Sequence, residues 1–342
     1  MIEKAIRKVI DRQHLERAEM AEVFGEVMDG RASDVQKSAL LVALRMKGET
    51  AEEITGAAMA MRARVTPLSV DGDRIVDTCG TGGDGRGTFN VSTVAAIVAA
   101  GAGASVAKHG NRAVSSACGS ADVLKELGVH IDLDAARMSE VLRRTGISFL
   151  FAPKLHPAMG AVVGVRRELG VRTMFNVLGP LTNPAFAKRQ VLGVYADHLV
   201  DVLAEVLLAL GAVHAMVVHS RDGLDEISVS APTRVCEVID GAIRRYEVTP
   251  ADFGVDTHAL DEISGGDAAA NARIARAILA GETGAKADIV AVNAGAALYV
   301  AGAAASVRDG VAMARQAIAS GAAMRKLDEL IRVSNELAHM SP

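Results

Sequence analysis

The chain has 342 residues, half of them hydrophobic and 23% charged, with a formal net charge of −4. That length exceeds what a single hydrophobic core usually serves, so two domains, or one large domain with a smaller companion, are expected. The acidic balance and the absence of Trp argue against a generally basic or stacking nucleic-acid surface.

Residues 3–65 read as helices almost throughout. Leu40, Leu41, Leu44 and Met46 fall near one face, and Thr50-Ala-Glu-Glu53 has the pattern of a capping box opening the next helix. Pro67 and the polar Asp71-Gly-Asp73 break the helical pattern and place a domain boundary near residues 66–73. From Ile75 the grammar becomes α/β. Ile75 and Val76 lead into a glycine-rich loop, Asn90 to Ala100 reads as a helix, and Ser105 to Ala107 as a short strand. Helices follow at Gly119 to Leu127 and Ala135 to Arg144, then a strand at Ser148 to Phe151. Strands at Val191 to Val194 and Met216 to His219 flank a helix with Leu199, Val202, Val206 and Leu210 on one stripe. This alternation predicts a mainly parallel sheet covered on both faces. Two β-rich runs between Ile227 and Val248 suggest an antiparallel excursion, and the tail is helical, including Ala287 to Val300 and Ala312 to Ala338.

Three clusters carry chemistry. Asp77 to Thr93 contains Gly80, Gly82, Gly83, Gly85 and Gly87, followed by Asn90-Val-Ser-Thr93 opening a helix. Glycines let backbone N–H groups approach a ligand, and a helix start favours phosphate or pyrophosphate, with Ser92 and Thr93 as hydroxyl donors. The loop lacks Gly-Lys-Ser/Thr and the spacing of a dinucleotide fingerprint. A merely structural glycine turn is the alternative. The second cluster, Lys108, His109, Asn111 and Arg112 with Ser115, Ser116 and Ser120 nearby, is expected to enter one polar mouth beyond a strand. Surface ion pairs are the alternative for Lys108 and Arg112. In the third, Asp225 and Glu226 are adjacent oxygen donors in a solvent-facing loop, suited to Mg2+ or simply to solvation, with Asp222 a helper or a turn residue. Between the clusters, Leu155-His-Pro-Ala-Met159 and Arg166, Arg167 and Arg172 precede Gly179-Pro180 and Asn183-Pro184, which force an extended crossing. His156 reads as catalytic, capping or substrate-lining.

The ordered set Gly80-Thr-Gly-Gly-Asp-Gly85, Thr88-Phe-Asn-Val-Ser-Thr93, Lys108-His-Gly-Asn-Arg112, Gly119-Ser-Ala-Asp-Val-Leu124, His156-Pro-Ala-Met159, Arg172-Thr-Met-Phe-Asn-Val-Leu-Gly-Pro-Leu181 and Asp222-Gly-Leu-Asp-Glu226 resembles the anthranilate phosphoribosyltransferases over essentially the whole chain. The resemblance implies an α/β fold of nucleoside phosphorylase/phosphoribosyltransferase type. A small N-terminal all-helical domain (1–70, with a returning link near 170–190) would join a larger α/β domain (73–169 and 191–342) around a central, mainly parallel sheet. It implies a homodimer through the helical domain and transfer of phosphoribose from 5-phosphoribosyl 1-pyrophosphate (PRPP) to anthranilate in tryptophan biosynthesis. Gly80, Thr81, Gly82, Gly83, Asp84, Thr88, Asn90, Ser92, Thr93, Lys108 and Ser120 would bind substrate, chiefly PRPP. Ser92, Asp225 and Glu226 would hold Mg2+. His109, Asn111 and Arg166 would meet anthranilate as the catalytic set, Arg166 at its carboxylate, with His156 lining the entry. Cys79 and Arg86 fall at variable positions of the pattern.

A pyrimidine nucleoside phosphorylase-like enzyme is the nearest competitor, and a non-enzymatic nucleic-acid-binding relative the next. The first would need a base pocket in place of the carboxylate grip, the second a basic groove. Cys79, Cys118 and Cys236 lack metal-site spacing and read as reduced thiols of a cytoplasmic protein. The most apolar stretch, Ala287 to Gly302, is interrupted by Asp288 and Asn293 and is too short to span a bilayer. No membrane or nucleic-acid partner is expected.

Overall fold

The structure is a computed structural model that describes residues 1–70, 72, 74–113 and 117–340. Asp71 and Asp73 of the expected boundary, and Ser115 and Ser116 of the basic segment, lie outside the described residues.

Four helices open the chain: α1 (Ile2–Ile10), α2 (Arg17–Met28), α3 (Asp34–Lys47) and α4 (Ala51–Arg62). The expected capping box is present, with Glu53 N donating to Thr50 Oγ1 at 3.3 Å and Thr50 N donating to Glu53 Oε2 at 2.9 Å. Glu53 is fully buried, and it is held by Leu15 N at 3.0 Å and Lys47 Nζ at 2.8 Å. Those partners are what let a carboxylate sit there. Leu40, Leu41 and Leu44 are buried as expected, whereas Met46 is 70% exposed. Two residues past Leu44 is about 200° around a helix, so Met46 points away from the seam.

The α/β part runs β1 (Ile75–Gly80), α5 (Val91–Gly101), β2 (Ser105–Gly110), α6 (Ser120–Glu126), α7 (Ala135–Thr145), β3 (Ile147–Phe151), α8 (Ala152–Leu155), α9 (Gly160–Leu169), α10 (Phe175–Leu178), β4 (Arg189–Gly193), α11 (Leu199–Ala209), β5 (His214–Ser220), β6 (Thr233–Ile239), β7 (Ala242–Val248), α12 (Ala268–Leu279), α13 (Ala285–Val300), α14 (Val307–Ala319) and α15 (Ala322–His339). One seven-stranded sheet has the order β3-β2-β1-β4-β5-β6-β7. Its first five strands are parallel, and β6 and β7 are antiparallel, joined by Asp240-Gly241 with φ of 54° and 73°. Positive φ at both turn residues matches the right-handed twist of a tight hairpin.

Two expected elements differ from the observed ones. The helical run Ala312 to Ala338 is two helices, because Gly321 adopts a left-handed φ of 71° between α14 and α15. The α11 stripe differs from Leu199, Val202, Val206 and Leu210: Val202 and Leu210 are only half-buried, whereas Val200, Leu203, Ala204 and Leu207 are buried beside Leu199 and Val206. That helix packs on β5 and β6 on one side and on α4 on another, so more than one stripe is covered.

The chain rejoins the helical layer already at α9, ahead of residue 170. Val162 and Val165 are buried in the same cluster as Phe24 and Leu40, and Lys37 Nζ donates to Ala161 O at 2.7 Å. This cluster continues through Phe175 and Leu178 to Leu192, Val217 and α11. One face of the sheet and the helical layer therefore share a core, which fixes the wall of the cleft between them.

Candidate active site

Strand order reverses between β1 and β4: successive strands step outward to β2 and β3 on one side and to β5 on the other. In open parallel sheets the crevice beyond the carboxyl ends at such a reversal is where ligands bind. Here the last residues of the two strands, Gly80 and Gly193, are register partners. The Asp225 segment sits directly on them. A Cβ on Gly80 would lie 2.4 Å from Asp225 Oδ2, and one on Gly193 only 1.5 Å from Asp225 O. Neither position admits a side chain while Asp225 stays in place. Gly193 was not singled out from the sequence, although a glycine inside the expected strand Val191 to Val194 was a usable signal.

Beyond Gly80 the loop turns through Gly82, Gly83, Gly85 and Gly87, all with φ between 66° and 76°. Gly82 N donates to Asp225 Oδ2 at 2.8 Å, and Ser92 N, in the first turn of α5, donates to Glu226 Oε1 at 3.1 Å. The acidic pair thus occupies backbone donors that an anion would otherwise claim. Thr81 Oγ1 accepts Tyr195 N at 3.0 Å, Thr88 bridges to Ser264, and Thr93 is buried in the first turn of α5. Asn90 gives α5 no side-chain cap; its Nδ2 donates to Cys118 O at 3.1 Å and its Oδ1 accepts from buried Asn271 Nδ2 at 3.0 Å. Asn271, from α12, is a positioning residue that the sequence reading missed.

The expectation that Lys108, His109, Asn111 and Arg112 share one mouth is corrected. β2 runs on through Gly110, so Lys108 and His109 are consecutive strand residues and point to opposite faces. Lys108 is buried beneath the glycine loop, where Nζ donates to Thr78 O and, at 3.2 Å, to Ser92 Oγ. Burial lowers its pKa, while the charges of Cys79, Asp77, Glu226 and Asp225 oppose that shift. Asn111 and Arg112 lie in the exposed loop beyond. Asn111 O accepts Ser120 Oγ at 3.2 Å and Ala121 N at 3.1 Å, which ties the loop to the start of α6. The Arg112 guanidinium lies 5.8 Å over the Phe151 ring and 4.0 Å from Asp122.

Asp225 and Glu226 are not the solvent-facing pair expected. They sit half-buried in the cleft floor, and burial followed by the charge of Asp84 pushes Asp225 up to about 7. Burial and then the Asp225 charge push Glu226 up to about 8. Asp84 Oδ2 is buried with no hydrogen-bond partner. Among the described residues no three His, Cys, Asp or Glu side chains form a closed cage for a metal. A divalent cation of the Mg2+ kind needs only one or two carboxylates, with phosphate oxygens and water completing its shell. The orphaned Asp84 oxygen and the mutually repelling carboxylates fit such a cation.

The opposite wall is built from His109, His156 and the link. His109 Nδ1 lies 3.2 Å from Gly179 O, and its Nε2 lies 3.1 Å from His156 Nε2. A carbonyl only accepts, so His109 carries its proton on Nδ1 and accepts at Nε2 from His156. Burial pushes His109 down to about 3 and His156 down to about 4, and both rings are neutral near pH 7. The His109 backbone N–H donates at 3.1 Å to Asp77, a completely buried carboxylate that also faces Gln190. Neither Asp77 nor Gln190 was picked out beforehand, although an Asp inside an apolar strand was a visible signal.

Three arginines were candidates on the link. The Arg166 guanidinium lies 5.2 Å over the Phe175 ring, and burial lowers its pKa. Arg167, one position on, is exposed. Arg172 stacks 4.3 Å over Tyr195 and donates to Gly83 O, linking the crossing segment to the glycine loop.

A helical bundle joined to a mainly parallel sheet whose switch point is lined by a glycine loop defines a class of glycosyl transferases. The family model described as "Glycosyl transferase family, helical bundle domain" matches residues 3–65, and "Glycosyl transferase family, a/b domain" matches residues 72–324. Within it, the chain belongs to the anthranilate phosphoribosyltransferases. It is 58% identical over 331 residues to the enzyme of Anaeromyxobacter dehalogenans, covering 97% of this chain and 98% of that one. The crystal structure of the Thermus thermophilus enzyme superposes with a TM-score of 0.92 at 45% identity, covering 97% of this chain and 99% of that one. The Saccharomyces cerevisiae enzyme, solved with PRPP and Mg, superposes with a TM-score of 0.90 at 28% identity over 98% of both chains. The same yeast enzyme has also been solved with 4-fluoroanthranilate.

Proposed function

We propose that the two walls of this cleft take the two substrates separately, PRPP against the glycine loop and anthranilate against the His109 wall. The carrying observation is the seat of Asp225 on Gly80 and Gly193, which places raised carboxylates, backbone N–H groups and buried Lys108 at the switch point. Relatives that bind PRPP with Mg, and 4-fluoroanthranilate, support both halves. In the reaction the anthranilate nitrogen attacks ribose C1 as the C1–oxygen bond to pyrophosphate breaks. The nitrogen then loses a proton to solvent.

Gly80, Thr81, Gly82, Gly83, Asp84, Thr88, Asn90, Ser92, Thr93 and Lys108 hold the phosphates and ribose, with Ser120 bracing the adjoining loop. Ser92, Asp225 and Glu226, joined by Asp84, are the residues that would hold Mg2+, which would supply positive charge for the departing pyrophosphate. Arg166 grips the anthranilate carboxylate, its guanidinium preset over Phe175. His109, His156 and Asn111 orient the ring as neutral donors and acceptors, since an aromatic amine is already unprotonated at pH 7 and needs placement more than a strong base.

The enzyme works in tryptophan biosynthesis, in the cytoplasm, as a homodimer through its helical layer. Exposed Ile10, Val35, Met46 and Val163 on that layer support the dimer, and the buried thiols of Cys79 and Cys236 suit a reducing compartment. The direct test mixes the protein with PRPP, Mg2+ and anthranilate and follows loss of anthranilate fluorescence. Loss that requires all three supports the assignment. No loss, with phosphorolysis of a pyrimidine nucleoside instead, overturns it.

A further inference from the structure

A second cavity, of about 210 Å³, lies between α4, α11 and the start of β4, lined by Arg62, Phe186, Lys188, Leu207, Leu210 and Ala212, among others. It is at the amino ends of the strands, roughly 15 Å of strand length from the catalytic cleft. We propose that this cavity binds a small carboxylate with a compact apolar body, the carboxylate on Arg62 and Lys188 and the body against Phe186, Leu207 and Leu210.

Arg62 spends Nε on Leu181 O at 2.7 Å and reaches Leu210 O with Nη1 only at 3.5 Å. Among the described residues no carboxylate pairs with Arg62 or Lys188, and none lines the cavity. Burial alone lowers the Arg62 pKa to about 10, the mark of a cation removed from water without a counter-ion. Phe186 adds an unusual wall: it is 42% exposed and adopts a φ of 50°, a region bulky residues seldom enter. The guanidinium fork suits a planar carboxylate, and five apolar or small lining residues suit a hydrocarbon body more than a bare phosphate.

The position gives an occupant a route to the catalytic wall. Three consecutive carbonyls of the link are held from three sides: Leu181 O by Arg62, Pro180 O by Gln190 at 2.8 Å, and Gly179 O by His109. A carboxylate that draws on Arg62 pulls at the same turn that fixes the His109 tautomer.

The test is calorimetric titration of 3-phenylpropionate into the protein and into its Arg166→Ala variant, which lacks the carboxylate grip of the catalytic cleft. Saturable binding that Arg166→Ala leaves intact is expected. The neutral amide of the probe should bind about tenfold more weakly or less, as loss of a charge-assisted pair requires. Inorganic phosphate should not compete, and Ala212→Phe, which fills the cavity, should abolish binding while retaining fold and turnover. Arg62→Lys should weaken binding without abolishing it. No saturable binding up to about 10 mM, well past ordinary weak affinity, overturns the proposal. So does binding that survives Ala212→Phe, is lost in Arg166→Ala, or is equalled by the amide.

Discussion

Burial acts on the two walls of the catalytic cleft in opposite directions on the pKa scale and for one reason: it disfavours charge. On the glycine-loop wall it raises Asp225 to about 7 and Glu226 to about 8, reinforced by repulsion among Asp84, Asp225 and Glu226. On the link wall it lowers His109 to about 3 and His156 to about 4. On the proposed reading, a cation and a phosphate donor relieve the electrostatic conflict of the first wall. The second is a neutral pair, to which Arg166 adds the charge proposed to meet a substrate carboxylate. The comparison assigns electrostatic work to one wall and orientation to the other.

The largest expected effect comes from disturbing the seat of the acidic pair. Gly193→Ala places a methyl group where Asp225 O now lies, so the Asp225 segment must move. Displacements on the order of 1 Å near reacting groups cost roughly a hundredfold or more in rate. A steady-state kcat/KM within a few-fold of the unchanged protein would show that the segment has another seat and that the first wall is not organised around it.

Next is the double variant Asp225→Asn, Glu226→Gln. It should abolish Mg2+-dependent turnover yet stabilise the substrate-free protein at high pH. Because both folded pKa values lie above the ordinary values of 3.8 and 4.5, the native state binds more protons than the unfolded chain between those limits and about 7 to 8. Stability therefore falls as pH rises through that window. Melting temperatures from pH 5 to 8.5 should show a decline that the double variant lacks. A variant that melts lower than the parent at pH 8.5 would mean that the carboxylates support the fold rather than strain it.

On the link wall, Arg166→Ala should raise KM for anthranilate by roughly ten- to a hundredfold, from loss of about 1.5–3 kcal/mol of charged hydrogen bonding, and leave KM for PRPP little changed. Arg166→Lys should recover part of it, and Arg167→Ala should do little, its side chain being exposed. Kinetics with each substrate varied in turn decide between the two arginines. The smallest effect concerns the imidazoles. Their folded values lie below 6.5, so their contribution to stability is complete above that pH and is lost as pH falls toward about 3 to 4. Ring-proton NMR should show neither histidine titrating between pH 5 and 8, and a midpoint near 6.5 for either would remove the neutral-pair account.

Much of this was legible in the chain itself. Alternating apolar strands and amphipathic helices announced the parallel sheet, the Thr50–Glu53 spacing announced a helix start, and ordered motifs from Gly80 to Glu226 announced the family. Each of these depends on residues close together in sequence, where local propensity and pattern carry the information. What the sequence did not disclose is pairing across distance. The exposure of Met46 and the split at Gly321 are local slips in reading a periodic pattern. The burial of Asp225 and Glu226, the opposed directions of Lys108 and His109, and the bond from His109 to His156 are of another kind. Lys108 and His109 look like one cluster until the register of β2 against β3 extends the strand through both. Gly80 and Gly193 are 113 positions apart, and only the adjacency of β1 and β4 makes them a single seat. The sequence alone determined the element types, the family and the inventory of chemical groups, because those follow from short-range pattern. The tertiary structure decided which groups face one another and which lose water, and desolvation and contact, being properties of packed space, then set their charge.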